Sequence, residues 1–244
     1  QVPDILWGKL VPVGEYTVGD SNYEIVTISK PFALSQYPIT YAQFSSFVEA
    51  SDFQDERWWF DMPQEKTVYG VHEYLKQLRR QQFRAWNHPR EHVSWYQAVA
   101  FCRWLSDKIG YKVSLPYEYE WEIAARYHDG RRYSYGDNFE VDKSNTRESK
   151  IGLTTAVGIY PHGHNENLNL FDLTGNVWEW CQNKATAPNE GIVDDSGTQR
   201  VLRGGSFFEE KFHASTTARN SCHPMLSDDH YGFRVCVRHA ATLP

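Results

Sequence analysis

The chain has 244 residues, 41% of them hydrophobic and 15% aromatic, enough to fill a large core, and nine Trp, fifteen Tyr and thirteen Phe suit irregular backbone packed by flat side chains. A net charge of −6 with scattered basic residues argues against nucleic acid as a partner, and no apolar run reaches membrane-spanning length, which argues against membrane insertion. Cys102, Cys181, Cys222 and Cys236 are few, far apart and without a CxxC pair, which argues against zinc-ribbon and thioredoxin chemistry; with no signal-peptide pattern at the start, a cytoplasmic protein is the expectation.

The first elements are strands. "LVPVGEYTVG" (10–19) and "YEIVTISKPFALSQYPI" (23–39) are short, aromatic and β-branched. "PITYAQFSSFVEAS" (38–51) places Thr40 and Gln43 at capping-box spacing with Phe44, Phe47 and Val48 on one face, which predicts a short amphipathic helix. Residues 55–90 have the look of an insertion, whose polar middle predicts an exposed helix around Leu75 and Leu78 ahead of Pro89. "VSWYQAVAFCRWLSDKIG" (93–110) repeats the capping box at Ser94 and Gln97, keeps Ala98, Phe101, Cys102 and Leu105 at helical spacing, and stops at Gly110. A third helix follows Pro116 in "LPYEYEWEIAARY" (115–127), with early acids that complement its dipole. After residue 130 helical periodicity disappears and Gly, Asn, Asp and Pro punctuate short apolar pieces. With no repeat or linker, residues 1–244 read as one α+β domain.

Three segments in the second half are unusually particular: "LNLFDLTGNVWEW" (168–180), "QRVLRGGSF" (199–207) and "HYGFRVCVR" (230–238). In the first, Asp172 and Glu179 flank a Gly-Asn turn, where carboxylates and carbonyls could converge on a hard cation such as calcium; an ordinary turn with solvated acids fits the same spacing. In the second, Gly204 and Gly205 allow a sharp turn out of a strand. From Phe207 to Tyr231 aromatics, acids, His, Ser, Thr and Asn mix, as on a recognition surface or as in a polar loop with a few buried rings. His162 and His164 lie in a Gly-Asn loop without the pairing of a metal site, and no G-x-S-x-G motif is present.

Together with "YPITYAQFSSFV", "HPREHVSWYQAVAFCRWLS" and "SLPYEYEWEIAAR", these segments resemble the formylglycine-generating enzyme (sulfatase-modifying factor) family over residues 6–238. The resemblance implies a C-type lectin fold, α+β and loop-rich, with two main helices and a small twisted sheet. It implies a structural calcium held by the side chains of Asp172 and Glu179 and the carbonyls of Gly175 and Val177. A second family calcium site would fall near Asn145 and Ile151, where Ser149 replaces the acidic ligand. In catalytic members two cysteines lie three and eight positions beyond the serine of R-G-G-S and bind copper; here those positions are Glu209 and Ala214. Copper(I) needs soft thiolates, so neither copper nor that catalysis is expected. Sulfoxide synthases of the ergothioneine pathway share the fold, but their iron ligands lie largely on a helical domain not found in this chain.

The arrangement further resembles the variable proteins of diversity-generating retroelements, whose adenine-mutagenised region ends a lectin-type domain of this class. "NSCH" (220–223) and "SDDHY" (227–231) fit the residues such mutagenesis generates; Glu209, Glu210, Lys211 and Met225 do not. This resemblance implies a non-catalytic domain that displays a protein-binding surface over the variable-type segment 203–234. The expected surface residues are Phe207, Phe208, Phe212, His213, Asn220, His223, Asp228, Asp229, His230 and Tyr231, with Phe207 the foremost candidate for a buried anchor. The alternatives are an enzyme of the formylglycine-generating or sulfoxide synthase type, and a structural or regulatory module fused to or associated with a signalling domain.

Overall fold

Side chains that alternate across two small sheets divide the core into two halves. The structure is a computed structural model that describes residues 2–238. Strand β1 (Gly14–Val18) pairs antiparallel with β2 (Glu24–Ile28), and β3 (Phe32–Leu34) leads into α1 (Tyr41–Val48) and α2 (Glu56–Trp59). Then come β4 (Glu65–Val68), β5 (Val71–Tyr74), α3 (Trp95–Ile109), β6 (Val113–Ser114) and α4 (Glu118–Arg126). The second half supplies β7 (Trp178–Lys184), β8 (Arg200–Arg203), β9 (Arg219–Cys222), β10 (Tyr231–Gly232) and β11 (Cys236–Arg238). One sheet runs β3-β11-β6; the other runs β10-β7-β8-β9.

Both sheets are covered on both faces, and period-two geometry sends neighbouring residues to opposite halves. Ala33, Trp180, Leu202 and Val237 join the aromatics of α1 and α3, among them Phe44, Phe47, Trp95, Phe101 and Trp104. Their neighbours Phe32, Leu34, Cys181, Val201 and Cys236 face the other way, toward Trp121 and Ile123 of α4 and Tyr16 and Ile28 of the β1–β2 hairpin. Rings in the first half meet edge-on and tilted, as Phe47 does with Phe53 at 4.9 Å and with Trp104 at 5.4 Å. Among the described residues no helix is long and apolar enough to cross a membrane.

The helix starts follow their local signals. Thr40 Oγ1 accepts from Gln43 N at 3.2 Å and Gln43 Oε1 accepts from Thr40 N at 2.9 Å; Ser94 and Gln97 repeat this at 3.3 and 3.0 Å. Gly110 ends α3 at φ 73°. Glu120 Oε2 accepts from Tyr117 N at 2.8 Å where α4 begins.

The exposed helix expected around Leu75 and Leu78 is not there. Residues 65–74 form the β4–β5 hairpin, turned by Tyr69 and Gly70, both at positive φ (49° and 80°). Two left-handed central residues match the right-handed twist of a hairpin, and Thr67, Val68 and Val71 favour extended backbone. Leu75 is buried just after the hairpin, and its carbonyl accepts from Gln97 Nε2 of α3 at 3.0 Å.

The loop between β7 and β8 is fastened at Asp194. Burial alone would raise its carboxyl, but the Lys184 ammonium at 2.7 Å and the hydroxyl and amide of Ser196 hold it down to about 2. A carboxyl pKa depressed from 3.8 contributes stability that is complete above the higher value and is lost as the pH falls through the lower one. Acid unfolding followed by circular dichroism should therefore steepen between about pH 4 and pH 2, and Asp194→Asn should flatten that part of the curve.

Candidate functional site

Two buried arginines frame the segment that follows the glycine turn. Arg203, the last residue of β8, donates from Nη1 to the carbonyls of Thr217 and Ala218, each at 2.8 Å, and from Nη2 to Glu122 of α4. Gly204 and Gly205 follow at φ 95° and 70°. A Cβ on Gly205 would stand 2.7 Å from Ala214 Cα and His213 O, so the turn is pressed against the end of the loop it launches. At the far frame Arg234 is fully buried: its Nε and Nη2 donate to the Glu179 carboxylate at 2.6 and 2.7 Å, Nη1 to Ser35 O at 3.1 Å, and Nη2 also to Phe171 O at 2.8 Å. Trp121 Nε1 completes the pairing at 2.7 Å from Glu179 Oε2. W-E-W and G-F-R are thus two halves of one buried ion pair.

Between the frames the expected surface residues divide. Phe207 is buried, edge-on to Phe83 at 5.5 Å. Phe208 is 58% exposed, with the Arg147 guanidinium 5.3 Å from its ring and Arg147 Nε donating to its carbonyl at 2.9 Å. The His230 ring lies 6.0 Å from that of Phe208 and 4.6 Å from that of Tyr231, and His230 Nδ1 stands 2.9 Å from Asp229 Oδ1 and 3.7 Å from Asp228 Oδ1. Tyr231 is half-buried on Trp180. Phe212 and His213 sit on a short 3-10 turn over Lys211–Ala214, Phe212 exposed beside Arg132 and His213 beside Glu209. Asn220 and His223 lie apart: Asn220 is on β9, at the edge of the four-stranded sheet opposite β10, with its Oδ1 on Ser221 N, and His223 follows that strand with its Nδ1 on Met225 N.

The structure adds residues to this patch that the sequence did not offer. Arg147 and Glu148 belong to a 3-10 turn far back in the chain, yet Arg147 N donates to Glu209 O at 2.8 Å and both Glu148 oxygens accept from Lys211 N. Charge in a distant loop carries no periodic signal that would link it to residue 208. At the two positions where the family resemblance would place thiols, Ala214 is fully buried and Glu209 faces His213. Cys222 is the one partly exposed cysteine among the described residues, and burial pushes its thiol up, away from the reactive thiolate.

The turn at Asp172–Glu179 is built from buried oxygens. Gly175 has φ 81°, and a Cβ there would lie 2.2 Å from Asn145 O, the carbonyl that accepts from Asn176 N at 2.8 Å. Asp172 is buried at φ 55°; its Oδ2 accepts from Gly158 N at 2.7 Å, while Oδ1 has only Asn176 Nδ2 at 3.4 Å. Burial raises the Asp172 carboxyl to about 6, against the pull of the Gly158 bond and Arg234. Glu179 points instead at Arg234 and Trp121, and the Gly175 carbonyl accepts from Val177 N at 3.0 Å, so a cation at this turn would reach both only by sharing their oxygens. An under-partnered buried carboxylate fits a hard cation in donor type. Near Asn145, Ser149 Oγ donates to Asn145 Oδ1 at 3.1 Å and Asn145 Nδ2 to Leu153 O at 2.9 Å, so that amide is already used within the chain.

The family described as the sulfatase-modifying factor enzyme 1-like domain matches residues 8–240. The chain is 29% identical to the formylglycine-generating enzyme of Streptomyces coelicolor, across 92% of this chain and 87% of that one. It is also 29% identical to inactive C-alpha-formylglycine-generating enzyme 2 of Mus musculus, across 88% and 78%. Treponema denticola variable protein 1 shares the fold with a TM-score of 0.69 at 20% identity, across 95% of this chain and 94% of that one.

Proposed function

This chain belongs to the family of sulfatase-modifying factor enzyme 1-like domains and has its α+β C-type lectin fold, and from that premise we propose that it is a non-catalytic domain that binds a protein partner through the surface following the R-G-G-S turn. The observation that carries the reading is Phe208: a large ring left in solvent, gripped by Arg147 and neighboured by His230, on a loop whose ends are pinned by buried charge. An exposed aromatic held still gives contact area at little entropic cost. The pair of thiol positions occupied by Glu209 and Ala214 supports the non-catalytic part, and a relative described as inactive shows that the family includes such members.

Phe208→Ala is expected to change stability by no more than about 0.5 kcal/mol, as exposed positions do. It is expected to weaken binding to a partner recovered by pull-down by about 2 kcal/mol, roughly thirtyfold. Paired thermal melts and binding isotherms check this; a domain unfolded by the substitution would make the ring core rather than surface. The rival enzyme reading is tested by incubating the protein with copper(I), a cysteine-containing peptide, dioxygen as oxidant and a thiol reductant: formylglycine in the mass spectrum would overturn the proposal. That the segment is retroelement-diversified is tested in the neighbouring DNA, where a reverse transcriptase and a near-copy of the stretch coding residues 203–234, differing at adenines, are expected.

The same proposal includes one structural calcium at the Asp172 turn, bound by the Asp172 carboxylate and the carbonyls of Gly175 and Val177, with Glu179 shared with Arg234. Bound calcium would neutralise the buried acid and hold the turn; it has no part in catalysis. EDTA is expected to lower the melting temperature of the unsubstituted protein and to have a smaller effect on Asp172→Asn, with one calcium per chain by elemental analysis. No metal and no EDTA effect would remove it.

A further inference from the structure

We propose that the free edge of β2, with the cleft beside it, is a docking site for an extended polypeptide segment that adds a third strand to the β1–β2 hairpin and carries a basic side chain. The site includes none of the candidate surface residues that follow the R-G-G-S turn, and it stands or falls independently of the display reading.

Strands β1 and β2 form a sheet of two, so β1 occupies only one edge of β2. Alternate residues of a strand turn their N–H and C=O groups to opposite sides. Those of residues 24–28 that face away from β1 have no hydrogen-bond partner among the described residues and are left to water. Edges of this kind are usually blunted by lysine, proline or a bulge. The strand EIVTI has none of these; its pairing with β1 runs in unbroken register, and its one charge is at the first position. At β9, the edge of the four-stranded sheet, the Ser221 amide instead donates to the Asn220 side chain at 2.8 Å.

A cleft of about 680 Å³ runs along the β2 edge, within the range of about 300–1,000 Å³ found for ligand clefts. Four consecutive residues, 24–27, line it. Side chains alternate between the two faces of a strand, so a wall made of consecutive residues is the strand's edge and not one of its faces. Across from it stand Glu118 and Tyr119 of α4, Pro188 and Asn189 of the loop between β7 and β8, and Arg219 of β9. What matches a row of N–H and C=O groups at strand spacing is another main chain, which is why the occupant is a peptide rather than a small molecule.

The charges in the cleft select the side chain. Glu118 is paired with Arg219 at 2.6 Å and accepts from Asn183 at 3.0 Å, and Glu122 is held between Arg126 at 3.0 Å and Arg203. Glu24 is exposed and has no cationic partner among the described residues, so the uncompensated charge is a carboxylate at the start of β2. Opposite charges on facing strands attract, and Lys or Arg on the added strand answers Glu24. Next to it, Ile25 is 71% exposed and offers an aliphatic surface to an apolar neighbour on that strand.

The test titrates the whole chain with end-blocked synthetic pentapeptides of alternating valine and threonine, with Lys, Gln or Glu scanned along the positions. A Lys peptide is expected to bind best and a Glu peptide worst. Glu24→Lys, an exposed change whose fold is checked by melting temperature, should reverse that preference, moving each affinity by about fivefold. Methylating the amide nitrogens of one alternate set of peptide residues should abolish binding, and methylating the other set should leave it. Amide hydrogen exchange should slow at residues 24–28 when peptide is added, and not at residues 208–212. Absence of binding, equal effects of the two methylation patterns, an unchanged preference in Glu24→Lys, or protection centred elsewhere would overturn the site. Protection of β2 that grows with protein concentration in the absence of peptide would give the edge to a second copy of the chain and overturn the peptide.

Discussion

Glu179→Gln is expected to cost about 3–5 kcal/mol of stability, the largest loss we anticipate from any single substitution outside the hydrophobic core. The side chain keeps its shape, so no cavity opens; what disappears is the negative charge facing Arg234, which is itself fully buried. The carbonyls of Ser35 and Phe171 still accept from the guanidinium, but they carry no net charge, and the new amide turns a donor toward a donor. Urea unfolding should show the midpoint falling with the slope unchanged. Combining Glu179→Leu with Arg234→Met should recover much of the loss, because a buried pair removed whole leaves no orphan behind. A loss below about 1 kcal/mol would mean that water reaches the arginine.

Gly175→Ala is expected to cost about 3 kcal/mol, for a different reason. A left-handed φ of 81° penalises any Cβ by roughly 1–2 kcal/mol, and this one would meet the Asn145 carbonyl oxygen at 2.2 Å and its carbon at 2.8 Å. Those are backbone atoms held by the Asn176 amide, so no side chain can swing aside, and overpacking adds about 1–3 kcal/mol. The same unfolding measurement checks it, with Gly70→Ala as the contrast: that glycine also has positive φ, but nothing lies within 4 Å of its would-be Cβ.

What the sequence disclosed and what it withheld follow from how far each cause reaches. Capping boxes are local, so Thr40–Gln43 and Ser94–Gln97 could be read directly, as could the glycine that ends α3. The β4–β5 hairpin was concealed because its strands, EKTV and VHEY, are as polar as a solvent-facing helix, and because Tyr69 is an uncommon residue for a left-handed turn position. For Glu179 the family resemblance implies a calcium ligand, while the ion pair it makes in the fold could not be read from the turn, because its arginine stands fifty-five residues on. One clue was present: in W-E-W the acid alternates with two core tryptophans, so it must point to the other covered face of β7, where an unaccompanied charge needs a partner. The ten surface candidates came from composition and from the resemblance; the place of Phe207 directly after the turn marked it as an anchor in advance, whereas nothing local says which of the other rings, such as Phe208, projects. Arg147 came from another part of the chain, and only folding brings it alongside.

The grip of Arg203 on Thr217 and Ala218, with Gly205 pressed against His213 and Ala214, fastens the two ends of the loop that carries Phe208 to Lys211 to each other through backbone atoms. Lengthening a loop whose ends are already held costs little, about 0.6 kcal/mol for each doubling. Residues added after Glu209 would therefore leave the clasp itself untouched, since Arg203, Thr217, Ala218 and Gly205 all lie outside the added stretch.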